Sequence, residues 1–209
     1  MLSISKFEKK YPSGFEVVIP QLDLPMGIHL LMGGNGSGKS TLLKALAGIH
    51  PAKGTIQLEG ISLEKQPIEY RKKIGYAEAE PNFPEFLSIS DLIEVVAKAK
   101  AATLEEIEDL TYRFGTNSFA NYPIGGYSSG MLKKTALVLA FLGNPKWIIL
   151  DEPFTTIDIE TQEQLIRLIQ EKSSAGTGFL ITSHQPRTLE IIQLTSILRM
   201  KNGKIEQHG

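Results

Sequence analysis

The 209-residue chain has no cysteine, which excludes disulfide bonds and cysteine-ligated metal centres and fits a reducing compartment. Its formal net charge is −1, so there is no overall basic field to hold nucleic acid or an anionic membrane surface. Long apolar runs are lacking as well. The most apolar stretch, Ala136 to Leu150, is broken by Gly143-Asn144-Pro145-Lys146, whereas a spanning helix needs about 18 consecutive apolar residues. The first ten residues alternate apolar and polar side chains and show no signal-peptide core. No part is expected to cross a membrane unaided, and neither an internal repeat nor a low-complexity linker is visible.

What remains is ordinary globular composition, 42% hydrophobic and 22% charged, at a length that suits one large domain or one domain with an insertion. Alternation at Leu2, Ile4 and Phe7, and again at Phe15, Val17 and Ile19 beyond a Pro12-Ser13-Gly14 turn, predicts two strands. Ile28 to Met32 is nearly all apolar, as expected of a strand buried on both faces, and helical spacing follows over Lys39 to Ala47. Further strands are expected at Thr55–Leu58 and Ile74–Ala77. Helices are expected at Asp91–Ala102 and Thr103–Phe114, with Ser90 and Thr103 as N-caps, and at Met131–Leu142 after a loop over 125–130. Strand Trp147–Leu150, helix Ile159–Lys172, strand Gly178–Thr182, helix Arg187–Leu194 and a terminal strand Ile197–Lys201 complete the pattern. Strands alternating with helices predict a parallel sheet covered on both sides, with about 82–143 inserted as a helical segment.

Two motifs carry chemistry. Gly33-Gly34-Asn35-Gly36-Ser37-Gly38-Lys39-Ser40 has the spacing of a phosphate-binding loop. Glycines let the backbone wrap phosphate oxygens with N–H groups pointing inward, and the following helix adds its positive end. Lys39 is expected to reach the β- and γ-phosphates, Ser40 to ligate Mg²⁺ through a hard oxygen, and Thr41 to join the same binding set. The rival reading is a glycine-rich turn before a helix, and placement between a buried strand and a helix disfavours it. The second motif is Trp147-Ile148-Ile149-Leu150-Asp151-Glu152, an apolar strand that delivers two acids at its C-terminal end, where ligands bind in open α/β sheets. Asp151 is expected to hold Mg²⁺ and Glu152 to polarise an attacking water.

With these residues in place the chain resembles the ATPase domain of ATP-binding cassette (ABC) proteins over essentially its full length. Tyr127-Ser128-Ser129-Gly130-Met131, opening a helix some twenty residues before the acidic strand, is similar to the family's signature loop. The resemblance implies that Ser128, Ser129 and Gly130 grip the γ-phosphate of ATP held by another protomer. Pro153 to Asp158 is similar to the loop whose aspartate, here Asp158, contacts the opposite subunit. His184, in Ile181-Thr182-Ser183-His184, matches the switch histidine, and Tyr11 resembles the aromatic residue that stacks on adenine.

There are departures too. The expected glutamine of the loop after Ile74–Ala77 falls on Ala79, so that either Glu78 or Glu80 substitutes for it or its sensing of the γ-phosphate is weakened. Ser129 replaces a glycine, Gly34 a proline, and Phe154 a small polar residue. The implied fold is a P-loop NTPase core of the ABC ATPase type (1–81 and 144–209), with an antiparallel β portion at its N-terminus and an inserted helical subdomain (about 82–143).

The implied function is an ATP-hydrolysing subunit, with ATP and Mg²⁺ as cofactors, that pairs with a second nucleotide-binding subunit. Separate transmembrane transporter subunits would hold it on the cytoplasmic face of a membrane, and no nucleic acid is expected. Two alternatives share the motifs: a soluble ABC ATPase that acts on a protein or nucleic acid, and a weakly catalytic nucleotide-binding module.

Overall fold

The computed structural model describes residues 1–183 and 191–208. The alternating N-terminal segments form β1 (Leu2–Lys10) and β2 (Glu16–Leu24), paired antiparallel with Leu2 opposite Leu24 and Phe7 opposite Ile19. β3 (Ile28–Met32) leads into α1 (Lys39–Leu46), followed by β4 (Lys53–Leu58), the two-residue β5 (Ile61–Ser62), α2 (Pro67–Lys72) and β6 (Ile74–Ala77). Then come α3 (Ile89–Lys100), α4 (Leu104–Arg113), two short 3₁₀ turns and α5 (Ser129–Phe141). β7 (Trp147–Leu150), α6 (Ile159–Ser174), β8 (Gly178–Thr182), β9 (Ser196–Lys201) and β10 (Lys204–His208) complete the described elements.

The strands make two sheets. β2-β1-β4-β5 is antiparallel, and β10-β9-β3-β8-β7-β6 is parallel except for its hairpin strand β10. The period of two in the central parallel strands splits their side chains between two cores. Leu30, Ile148, Leu150, Phe179 and Ile181 face a cluster shared with α3 to α6. Leu31, Trp147, Ile149 and Leu180 face a second cluster with α1 and the antiparallel sheet. A strand with both faces buried is nearly all apolar, the buried His29 and Thr182 being hydrogen-bonded, which is why β3, β7 and β8 could be placed to the residue from sequence.

Four expectations need correction. The N-cap of α3 is Ser88, not Ser90: Ser88 accepts from the Asp91 N–H, and the Asp91 carboxylate accepts from the Ser88 N–H, a closed capping box. Ser90 already lies in the first helical turn, with its hydroxyl donating to Ala120 O at 2.9 Å. α5 starts at Ser129 rather than Met131, because Ser128 caps it. Of the helix expected over Arg187–Leu194, the part up to 190 lies outside the described residues, and 191–194 are not helical. Ile197–Lys201 is not the last strand, since Asn202 and Gly203, both with positive φ (48° and 73°), turn the chain back into β10.

Candidate functional site

The loop after β3 carries two glycines in the left-handed region, Gly36 (φ 74°) and Gly38 (φ 106°), conformations that other residues adopt at a cost. Gly38 is the N-cap of α1 and supplies no side chain to its first-turn N–H groups, so these amides remain available to an anion. Gly33 has no room for a Cβ, which would lie 2.5 Å from Met200 O and 2.7 Å from Ser37 Oγ. The β9–β10 hairpin backs the loop, the Gly203 N–H donating to Ser37 O at 2.9 Å. Lys39, 8% exposed, folds over the loop and donates to Gly33 O (2.8 Å) and Gly34 O (3.2 Å). Ser37 Oγ is buried with no hydrogen-bond partner among the described residues.

Asn35 to Thr41 form one wall of a 620 Å³ cavity, and Tyr11, Ser13 and Phe15 form the other. The Tyr11 hydroxyl is 3.0 Å from Thr41 Oγ1, and its ring lies 6.2 Å from that of Phe15, tilted by 37°. A cationic, amide-lined loop facing an aromatic wall suits a triphosphate joined to a flat base.

The acids meet this loop at the same sheet edge. Asp151 is 2% exposed, and both its oxygens are engaged: Ser40 Oγ donates to Oδ2 at 2.8 Å and Thr182 Oγ1 donates to Oδ1 at 2.7 Å. Thr182 Oγ1 also accepts from the Glu152 N–H at 2.8 Å, which makes this hydroxyl a bridge between the two acids. Glu152 has φ 47°, a conformation that costs of order 1–3 kcal/mol outside glycine. Its carbonyl accepts from Thr155 Oγ1 at 2.8 Å. The Ser40 hydroxyl and Asp151 carboxylate form the sparse hard-oxygen pair that suits Mg²⁺, an ion that keeps water and phosphate as its other ligands. Among the described residues no group of three or more His, Cys, Asp or Glu side chains could hold a metal ion.

Three lysines that sequence reading did not single out tie these segments together. Lys133 of α5, 1% exposed, donates to Glu78 O (3.0 Å), Ala79 O (2.5 Å), Glu152 O (3.2 Å) and Asp151 O (3.5 Å). Burial pushes its ammonium down to about 8, against the pull of Asp151, Glu152, Glu80 and Glu78. Lys44 of α1 is ion-paired with the Glu78 carboxylate, while Glu80 is exposed. Lys134 pairs with Asp158 at 2.7 Å, and Asp158 also caps α6 through the Thr161 N–H at 2.8 Å. The hydrogen bond from Lys134, then those from Thr161, hold the Asp158 carboxyl well below the usual carboxylate range.

Ser128 and Ser129 are exposed at the N-terminus of α5 and do not line the cavity at Lys39. Ser128 Oγ accepts from Met131 N–H at 3.2 Å, and a Cβ at Gly130 would lie 2.8 Å from Thr156 O. Behind them the Tyr127 hydroxyl donates to Phe119 O at 2.9 Å. Gly34 has open space around it, so that the absence of proline there strains nothing. Phe154 is buried in the helical-side core. His184 lies outside the described residues.

Comparison with known proteins agrees with this fold. The sequence model of the family described as "ABC transporter" matches residues 21–155. An ABC transporter ATP-binding protein of Bacillus subtilis, NatA, is 26% identical across 100% of this chain and 89% of its own. A cytochrome c biogenesis ATP-binding export protein of Legionella pneumophila, CcmA, is 33% identical over 76% of this chain and 80% of its own. Among solved structures, the ATP-binding subunit of an ABC transporter superposes with a TM-score of 0.89 at 26% identity, covering 100% of this chain and 89% of that one. A dimeric ATP-binding cassette bound to ADP and Pi in a post-hydrolysis state gives 0.83 at 22% identity over all of both chains, a likeness of fold.

Proposed function

The chain belongs to the ABC transporter family, and from that premise we propose that it binds and hydrolyses ATP between two paired subunits to power a separate membrane-spanning partner. The observation that carries this is the convergence of Ser40, Asp151, Thr182 and the Glu152 backbone beside the amide-lined loop, bonded at 2.7–2.8 Å.

ATP would seat its base against Tyr11 and its phosphates on the amides of 33–41, with Lys39 leaving the Gly33 and Gly34 carbonyls to meet the β- and γ-phosphates. Mg²⁺, held by Ser40 and Asp151, would neutralise charge on the phosphate oxygens. Glu152 orients a water and takes its proton while the water oxygen bonds to the γ-phosphorus and ADP leaves with the bridging oxygen. His184 would act as the switch residue. The exposed Ser128 and Ser129 and the half-buried Gly130 at the start of α5 lie outside this chain's own cavity, which supports a role on ATP held by a partner, with Asp158 facing that partner. To stand in for the missing glutamine, Glu78 would have to leave its ion pair with Lys44.

In this reading the core comprises 1–81 and 144–209, and the insertion meets the membrane subunit. A 180 Å³ hollow where the core (Ile49, Tyr76, Glu78, Pro81) meets the insertion (Asn82, Phe83, Leu139), with Phe86 82% exposed nearby in sequence, supports docking along that seam. No helix among the described residues is long and apolar enough to cross a membrane. The protein would therefore reach the cytoplasmic face of a membrane through its partner. Recovery of tagged protein from native membranes in mild detergent is expected to bring a multi-spanning protein in stoichiometric amount. Recovery from the soluble fraction alone would refute the transporter assignment.

A further inference from the structure

Among the described residues, Lys133 is the one fully buried cation at the site with no role in the chemistry above. A lysine ammonium has three N–H donors, and here they face four main-chain carbonyls from two segments: Glu78 and Ala79 after β6, Asp151 and Glu152 after β7. β6 and β7 are parallel neighbours, so both segments leave the sheet at the same edge. The lysine is on neither of them. It belongs to α5, the helix whose first residues are Ser129 and Gly130. α5 is seated hard against the sheet, since a Cβ at Gly75 of β6 would collide with Ala140 O.

The peptides flanking Glu152 are held from two sides. Its N–H goes to Thr182 Oγ1, and its carbonyl accepts from Thr155 Oγ1 and from Lys133. A side chain on a left-handed backbone points where that backbone aims it, so fixing these peptides aims the carboxylate. Residue 79 is alanine and has no side chain with which to fix its own loop. Beside the Lys44–Glu78 ion pair, the loop is held through its backbone by the cation that also holds Glu152.

We propose that Lys133 is a positioning residue for hydrolysis, aiming Glu152 and fixing the 78–79 backbone from α5, so that both follow the helix that carries Ser129 and Gly130. The proposal rests on the ATPase reading above.

Lys133→Met and Lys133→Gln test it in the full chain, methionine filling the same volume without donors and glutamine keeping two. Both are expected to bind ATP with a KM within about threefold of wild type. The methionine variant should lose kcat by about a hundredfold, the scale of a misplaced reacting group, and should accumulate an ATP-bound dimer. Glutamine should recover part of kcat. A folded methionine variant with kcat within about threefold of wild type would overturn the proposal. So would loss of ATP binding together with the fold in both variants, which would make Lys133 a structural residue only. If wild type and Glu152→Gln hydrolyse ATP equally, or neither does, the ATPase reading itself fails, an outcome separable from either result at Lys133.

Discussion

Thr182→Val changes one hydroxyl into a methyl of nearly the same volume at a site with no exposure. The hydroxyl donates to Asp151 Oδ1 at 2.7 Å and accepts from Glu152 N–H at 2.8 Å, so the variant strips a partner from a buried carboxylate and a partner from an amide. A hydrogen bond to a charged group contributes about 1.5–3 kcal/mol, and an unsatisfied buried amide costs about 1–3 kcal/mol. Relaxation recovers part of that, so we take about 3 kcal/mol. In a chain of this size each kcal/mol shifts Tm by roughly 2–4 °C, giving a fall of about 6–12 °C.

The two acids also lose their common anchor, and kcat should drop by about a hundredfold. Thr182→Ser keeps the hydroxyl and loses one methyl, about 1 kcal/mol, and should stay close to wild type in kcat. Thermal unfolding by circular dichroism and steady-state phosphate release measure both effects. The reasoning is refuted if the valine variant melts within about 2 °C of wild type with unchanged kcat, or if serine is as damaging as valine.

Gly178→Ala should destabilise by about 1–3 kcal/mol through overpacking, because its Cβ would collide with the fully buried indole of Trp147. Trp147 is the sole tryptophan, so its emission should shift with the melting curve, and an unchanged spectrum and Tm would contradict the packing. Asp158→Asn should lower Tm near neutral pH. Lys134 and Thr161 depress the folded pKa, so the aspartate's contribution is full above its ordinary value of 3.8 and is lost as pH falls through the folded value. The Tm gap between the two proteins should accordingly close below about pH 4, and a gap that widens in acid would reverse the assignment.

The legible parts of the sequence were those in which one physical demand dominates. β3 and β7 are buried on both faces and end abruptly in glycine or charge, so their limits and the two motifs at their ends could be read directly. α2 escaped notice because only Tyr70 of its six residues is buried, which leaves no apolar period, although Pro67 at its first turn was a cue. β10 was missed despite Asn202-Gly203, a strong local hairpin signal, because its Lys-Ile-Glu-Gln-His sequence is short and polar. Ser88 and Ser90 compete as caps on composition alone, and the Asp91 carboxylate reaching back to the Ser88 N–H decides between them. Thr182 and Lys133 act through backbone atoms distant in sequence (Glu152 N, and Ala79 O and Glu152 O) and leave no spacing to recognise. The polar Thr182 ending an apolar strand, and a lysine on the mostly apolar α5, were the only traces.

The most direct test of ATP-driven pairing with hydrolysis at Glu152 is the mass in solution of Glu152→Gln with and without Mg²⁺ and ATP, read alongside phosphate release. The expected result is a monomer without nucleotide, a dimer retaining ATP when it is supplied, and turnover lost. A monomer that hydrolyses ATP at the wild-type rate would contradict both the pairing and the role of Glu152.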